Sequence, residues 1–206
     1  MRLGDHFKQI RKKYHNIFFS NISFDHRKIK KNYIFFAVKG NNLDGNNFIP
    51  LAIKKGCKII VTEKNFDGYK NGVLFIHTKN IRKLLAQISF SIFKKKPNNL
   101  IAVTGTNGKS SISDFYYQIL NLNNKKVASI GTLGARSSNF NLNLSNTTID
   151  PISLSKILSK LKKKKIENVI LEASSHGLHQ NRLDGLFFNS AIFTNLSRDH
   201  LDYHKN

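Results

Sequence analysis

Cysteine is almost missing from this 206-residue chain, which has only Cys57. A single thiol excludes an internal disulfide framework and any zinc cluster built on several thiolates. Its setting, AIKKGCKIIV beside an apolar run, reads as a buried core thiol. Proline is scarce as well. With 3 prolines and 40% hydrophobic residues, the chain fits a globular protein of one large domain or two small ones, not a disordered one. Long apolar runs are also lacking: neither MRLGDHFKQIRKK at the start nor any later segment approaches the ~20 apolar residues that a membrane span needs. A reducing, cytoplasmic location with no membrane partner is the expectation. Acidic residues are the remaining shortage, 12 against 34 Lys and Arg, for a net charge of +22. Such a balance often marks proteins of nucleic acids or anionic membranes. Here the lysines are spread along the chain among many asparagines, and no RNP, zinc-finger or basic-zipper motif accompanies them. The dense run at 162–165 falls near the end of a predicted helix, where solvent and the negative end of the helix dipole receive it. Charge by itself leaves a basic nucleic-acid-binding module as a rival reading; no nucleic-acid partner is expected.

Short apolar runs organise what is present. Before the polar break KKKPNN at 94–99, the runs YIFFAV (33–38), KIIVT (58–62) and VLFIH (73–77) have strand length. NNFIPLAIKKG places Phe48, Leu51 and Ala52 at helical spacing ahead of Gly56, and a second helix over 80–93 puts Leu84, Leu85, Ile88 and Ile92 on one face. This β-α-β-β-α order predicts a small α/β domain over 1–96. Over 97–206 the alternation is cleaner. Strands are predicted at 100–104, 127–130, 168–173 and 190–195, with helices after the glycine loop and from Pro151, where Asp150 supplies the cap. Near-continuous apolar strands separated by helices predict a buried parallel sheet, with ligands bound beyond the carboxyl ends of its strands. The fold class is α/β: a small N-terminal domain followed by a parallel-sheet domain with a phosphate loop.

IAVTGTNGKSS (101–111) is that loop, although it departs from the usual P-loop in having Val103 where a glycine is common. Gly105 and Gly108 let backbone amides approach phosphate oxygens, and the following helix adds its positive end. Lys109 can reach the β- and γ-phosphates of ATP, and Ser110 can ligate Mg²⁺. Glu172 ends the apolar strand NVILE, where an unpaired carboxylate would be costly to bury. It can hold Mg²⁺ beside Ser110, as a Walker B acid does; the plain alternatives are a surface glutamate or a helix-capping acid. His176 with His179, and His200 with His204 beside Asp199 and Asp202, have spacings that admit a metal. No cysteine accompanies them, and a phosphate loop calls for a hard, oxygen-liganded cation rather than zinc.

TGTNGKS, NTT (146–148), EASSHGLHQNR (172–182) and FTNLSRDHLDYH (193–204), in that order, resemble the Mur ligases. FDHRKIKKNYIFFAVKGNNLDGNNFIPLAIKKG (24–56) resembles that family's uridine-nucleotide domain. Within the family the motifs are most similar to the enzymes that add the third amino acid of the peptidoglycan precursor, ahead of the related folylpolyglutamate synthetases. The resemblance implies an ATP-dependent, Mg²⁺-requiring amide ligase that works through an acyl phosphate. Its substrates would be a UDP-MurNAc-dipeptide and an amino acid, diaminopimelate or lysine, and the full-length enzyme would be a monomer. It implies that Gly105, Thr106, Asn107, Gly108, Lys109, Ser110 and Ser111 wrap the ATP phosphates. Lys109, Glu172 and His200 would be catalytic, with Ser110, Glu172 and His200 serving the magnesium ions. Asn146, Thr147, Thr148, Ser174, Gln180 and Arg182 would contact the UDP-MurNAc-peptide, and Phe24, His26, Asn41, Asn42 and Leu43 its uridine end. His26 stands where the family usually has serine. The resemblance further implies that the chain stops inside the ATP-binding domain and lacks the domain that receives the amino acid, so that alone it is not expected to complete the ligation.

Overall fold

A computed structural model describes residues 1–40 and 43–204 of the chain, which falls into two compact units, Met1–Ile92 and Phe93–Asn206. The first contains β1 (Asn21–Ser23), β2 (Tyr33–Phe36), α1 (Ile49–Lys54), β3 (Ile59–Thr62), β4 (Gly68–Lys70), β5 (Val73–His77) and α2 (Ile81–Ile92). Its sheet has the order β1-β2-β3-β5-β4; β4 alone runs antiparallel, against β5. Ile34, Phe35 and Phe36 of β2 are fully buried, as a strand covered on both faces requires. Cys57 is a core thiol, 1% exposed and 3.1 Å from the carbonyls of Tyr33 and Ile59, and burial pushes its pKa up. Two helical expectations shift. Phe48 belongs to a 3₁₀ turn, Gly45–Phe48, so α1 starts beside Pro50 and turns Leu51 outward while Ala52 enters the core. The buried stripe of α2 runs from Ile81 through Leu85 to Ile88 rather than starting at Leu84.

The second unit contains β6 (Asn99–Thr104), α3 (Lys109–Leu122), β7 (Val127–Gly131), β8 (Gly134–Ser137), β9 (Phe140–Leu142), α4 (Pro151–Lys163), β10 (Asn168–Glu172), α5 (Ser175–His179), β11 (Ser190–Phe193) and α6 (Leu201–His204). The strand order is β11-β6-β10-β7-β8-β9. The four strands predicted from apolar runs are parallel, but the sheet is mixed, because β7, β8 and β9 continue as an antiparallel meander. Gly131 pairs with Gly134, leaving Thr132 and Leu133 as a two-residue hairpin tip. The helix from Pro151 forms as predicted, with the Asp150 carboxylate accepting from Ser153 N–H at 2.9 Å. It buries Leu154, Leu158 and Leu161, each stabilising by about 1.5–3 kcal/mol. Lys163 and Lys164 meet solvent as expected. Lys162 instead turns back to the Glu167 carboxylate at 2.8 Å and to Asn98, tying the end of α4 to the start of β10.

Arg136 on β8 is joined to Asp114 on α3 by an ion pair of 2.6 Å, with Gln118 bonding the other oxygen. The hydrogen bond from Arg136 is the main cause that holds the Asp114 carboxyl below its ordinary value of 3.8. Glu167 and Asp25 are lowered in the same way by Lys162 and Arg27. A depressed folded-state pKa means that the unfolded chain takes up protons first as pH falls. The stabilisation is therefore complete above the unfolded values and is lost as pH drops below about 4. Thermal midpoints are expected to hold from pH 7 to 5 and to fall below pH 4, with a shallower acid limb for Asp114→Asn. Identical acid limbs for the two proteins would remove this pair from the account.

Candidate functional site

The loop between β6 and α3 draws its shape from the segment that leaves β11. Gly105 has φ 131°, and a Cβ there would overlap Thr194 Oγ1 and stand 2.8 Å from the Asn195 carbonyl. Both the dihedral and the close approach require glycine at this position, so the glycine belongs at 105 and Val103 can be a fully buried strand residue. Asn195 clamps the loop: its carbonyl accepts from Thr106 N–H at 3.0 Å, and its side-chain oxygen accepts from Asn107 N–H at 3.0 Å. Thr194 Oγ1 donates to Asn107 O at 2.7 Å, and Thr106 Oγ1 exchanges bonds with Ser197. With those two amides engaged, the donors left for a phosphate are the first N–H groups of α3, which have no carbonyl a turn below them. Lys109, the first residue of α3, curls over the loop and donates to Gly105 O at 2.6 Å and Thr106 O at 2.8 Å.

Glu172 closes the other side. It is 2% exposed, which excludes a surface glutamate, and Ser174, not Glu172, caps α5. Ser110 Oγ donates to its Oε2 at 2.9 Å, Thr132 Oγ1 to the same oxygen at 3.0 Å, and Thr132 N–H to Oε1 at 3.1 Å. Among the described residues Glu172 forms no ion pair. A buried carboxylate whose partners are hydroxyls and an amide, next to a serine whose oxygen keeps free lone pairs, suits a hard divalent cation. The loop, Glu172, Thr132, Thr147, Ser174 and His200 line one cleft of about 950 Å³.

His200 enters that cleft from the segment after β11, with φ 53° and its N–H donating to Asp199 at 2.8 Å. Its ring centroid lies 4.6 Å from that of His176, which packs 4.0 Å from Tyr203. Among the described residues no group of three or more His, Cys, Asp or Glu is arranged to hold a metal ion. The set expected for magnesium uses only two such side chains, Glu172 and His200, with the Ser110 hydroxyl.

The residues expected to meet the acceptor fall into two tiers. Asn146 is exposed, and Thr147 and Ser174 are half-buried at the cleft. Thr148 lies behind them, 1% exposed; its hydroxyl donates to Glu172 O at 2.8 Å and accepts from Ser174 N–H at 2.9 Å. It positions Ser174 and the end of β10 instead of presenting a free hydroxyl. Arg182 donates to Thr148 O and, through its guanidinium, to Gln180 Oε1 at 2.8 Å, which fixes both side chains. The residues expected at the uridine end belong to the first unit. There Phe24 and Leu43 are 40% and 67% exposed, and the His26 ring lies flat on Phe48, 4.2 Å between centroids at 7°. A stacked imidazole is a different group from the serine usual at this place. Asn41 and Asn42 lie outside the described residues.

Thr132 touches the candidate site from outside the quoted motifs, and Thr194 and Asn195 shape its loop from within FTNLSRDHLDYH, where no role was assigned to them. A signal existed for Thr132: GTLG is a polar, glycine-bounded turn directly after the apolar run VASI, at the carboxyl edge where ligands bind.

Comparisons with known proteins show the family of the chain. The pattern of the Mur ligase middle domain matches residues 103–206, and that of the Mur ligase family, catalytic domain, matches residues 19–91. A UDP-N-acetylmuramoyl-L-alanyl-D-glutamate--2,6-diaminopimelate ligase of Rickettsia conorii is 43% identical over 197 residues, covering 92% of this chain and 40% of the relative. The enzyme of the same name from Wigglesworthia glossinidia brevipalpis is 43% identical, with coverages of 91% and 39%. The chain thus spans about 40% of the length of the curated relatives it matches. A solved structure of a ligase of that name superposes with a TM-score of 0.79 at 30% identity, over 99% of this chain and 42% of the other. MurF ligase from Thermotoga maritima in complex with ADP, at 21% identity and TM-score 0.57 over 90% of this chain and 40% of the other, shares the fold. Among the described residues no helix is long and apolar enough to cross a membrane.

Proposed function

The chain belongs to the Mur ligase family, and from that premise we propose that it provides the nucleotide and acceptor sites of an ATP-dependent ligase joining diaminopimelate to UDP-N-acetylmuramoyl-L-alanyl-D-glutamate. The observation that carries this reading is the bond from Ser110 Oγ to the buried Glu172 carboxylate at 2.9 Å, beside a glycine-shaped loop and Lys109. In the proposed reaction a side-chain carboxylate oxygen of the acceptor's D-Glu attacks the γ-phosphorus and ADP leaves, giving an acyl phosphate. The amine of the incoming amino acid then attacks the carbonyl carbon, and phosphate leaves. Lys109 exchanges its two loop carbonyls for phosphate oxygens, and the first amides of α3 hold the remaining charge. Magnesium, held by Ser110, Glu172 and His200, would neutralise charge on the transferring phosphate. Thr147 and Ser174, with Asn146, Gln180 and Arg182, orient the acceptor, and Thr148 braces them from behind. Phe24, His26, Asn41, Asn42 and Leu43 are assigned to the uridine end. The names of the relatives support a peptidoglycan acceptor over a folylpolyglutamate.

Titration calorimetry on the chain tests the reading. A non-hydrolysable ATP analogue is expected to bind saturably with Mg²⁺ and to lose most of its affinity in EDTA. UDP-MurNAc-L-Ala-D-Glu is expected to bind and to be competed by UDP. The absence of heat with either ligand would sink the proposal.

A further inference from the structure

Thr132, at the tip of the β7–β8 hairpin, touches two groups that serve different ligands. Its Oγ1 lies 3.0 Å from Glu172 Oε2 and 3.0 Å from Thr147 Oγ1. A carboxylate oxygen only accepts, so Thr132 must donate there, and a threonine hydroxyl has a single hydrogen. The contact with Thr147 therefore needs Thr147 to be the donor. The bonds run in one direction, from Thr147 to Thr132 to Glu172, while Ser110 donates to the same carboxylate oxygen at 2.9 Å. In this arrangement Oε2 accepts from two hydroxyls, and the hydrogen of Thr147 is engaged by Thr132.

We infer that Thr132 is a positioning residue that couples the acceptor at Thr147 to the magnesium–nucleotide at Glu172, each ligand strengthening the other's binding. The inference rests on the ligase reading above. When an acceptor oxygen draws the hydrogen of Thr147 away from Thr132, a lone pair of Thr147 can face Thr132 instead, and Thr132 can turn its own hydrogen toward it. Glu172 Oε2 then loses one of its two hydroxyl donors and has a lone pair open to a cation beside Ser110. The main-chain bond from Thr132 N–H to Oε1, at 3.1 Å, keeps the carboxylate in place during the exchange. Occupancy of one site thus changes the donor balance of the other, and by linkage the effect is reciprocal.

The test measures the affinity of the Mg²⁺ complex of a non-hydrolysable ATP analogue, with and without saturating UDP-MurNAc-L-Ala-D-Glu, by calorimetry. The native chain is expected to bind the nucleotide on the order of tenfold more tightly with the acceptor present. Thr132→Val keeps the main-chain bond and removes the relay, so the ratio should fall close to one while nucleotide affinity weakens severalfold. Thr132→Ser should restore the ratio. A purely structural role would lower both affinities in Thr132→Val and leave their ratio unchanged, which would overturn the coupling. A native ratio of one, with both ligands bound, overturns it without any variant and leaves the ligase reading standing. Failure of the native chain to bind Mg²⁺-nucleotide at all would sink that reading, and the coupling with it.

Discussion

Replacing Lys109 with alanine is expected to lower ATP-dependent phosphate transfer by about 10²–10³-fold, the usual cost of removing one preorganised donor from a charge-developing site. The ammonium already sits over the loop, held by the carbonyls of Gly105 and Thr106 at 2.6 and 2.8 Å. In the proposed reaction those bonds hold it ready for the transferring phosphate, so its loss removes charge stabilisation that no neighbouring side chain of the loop can replace. The cost to folding should be small. The loop keeps its clamp, because the bonds from Thr106 and Asn107 to Asn195 do not involve Lys109. The check is ADP release with ATP, Mg²⁺ and acceptor, beside a thermal melt of the same variant. Near-native release with an unchanged melt would remove Lys109 from the mechanism.

Gly131→Ala should be as damaging, through packing rather than charge. A Cβ at this position would overlap the Glu172 carboxyl and stand 2.5 Å from its Cγ. Glu172 is 2% exposed and held by Ser110 and Thr132, so it has no outward path. Overpacking of this kind costs about 1–3 kcal/mol, and a fall in thermal midpoint of roughly 5–10 °C follows for a unit of this size. Moving the carboxylate also separates it from Ser110, and Mg²⁺-nucleotide affinity should fall at least about tenfold, or ~1.4 kcal/mol. Adding Glu172→Asp shortens the acid by one methylene. The double variant should recover part of the stability without recovering affinity, because the shorter carboxylate no longer reaches both hydroxyls. An alanine variant with native melt and native affinity would show that the close approach of β7 to Glu172 is unimportant.

Local pattern decided a good deal about this protein. The apolar runs 33–38, 58–62, 73–77, 100–104, 127–130 and 168–173 became β2, β3, β5, β6, β7 and β10 because a strand covered on both faces is apolar throughout. Asp150 and Pro151 open α4 for reasons contained in two residues. IAVTGTNGKSS declared a strand, a loop and a helix in unbroken order, so the glycine-shaped loop was legible before any contact was known. Other features had no local mark. β8 and β9 are short and carry glycine, serine and asparagine, with no alternation strong enough to announce an antiparallel edge. Thr148 reads as a substrate hydroxyl but is buried, and Lys162 reads as a solvated charge but forms a latch. His26 gives no hint that it will lie on Phe48, twenty-two positions away. The bonds from Ser110 and Thr132 to Glu172 span 62 and 40 residues. They exist because the strand order places β10 between β6 and β7, which brings the loops after all three strands to one carboxyl edge. Periodicity and capping are properties of neighbouring residues and can be read along the chain. Which hydroxyl meets which carboxylate depends on strand order, and burial of the whole apolar surface sets that order.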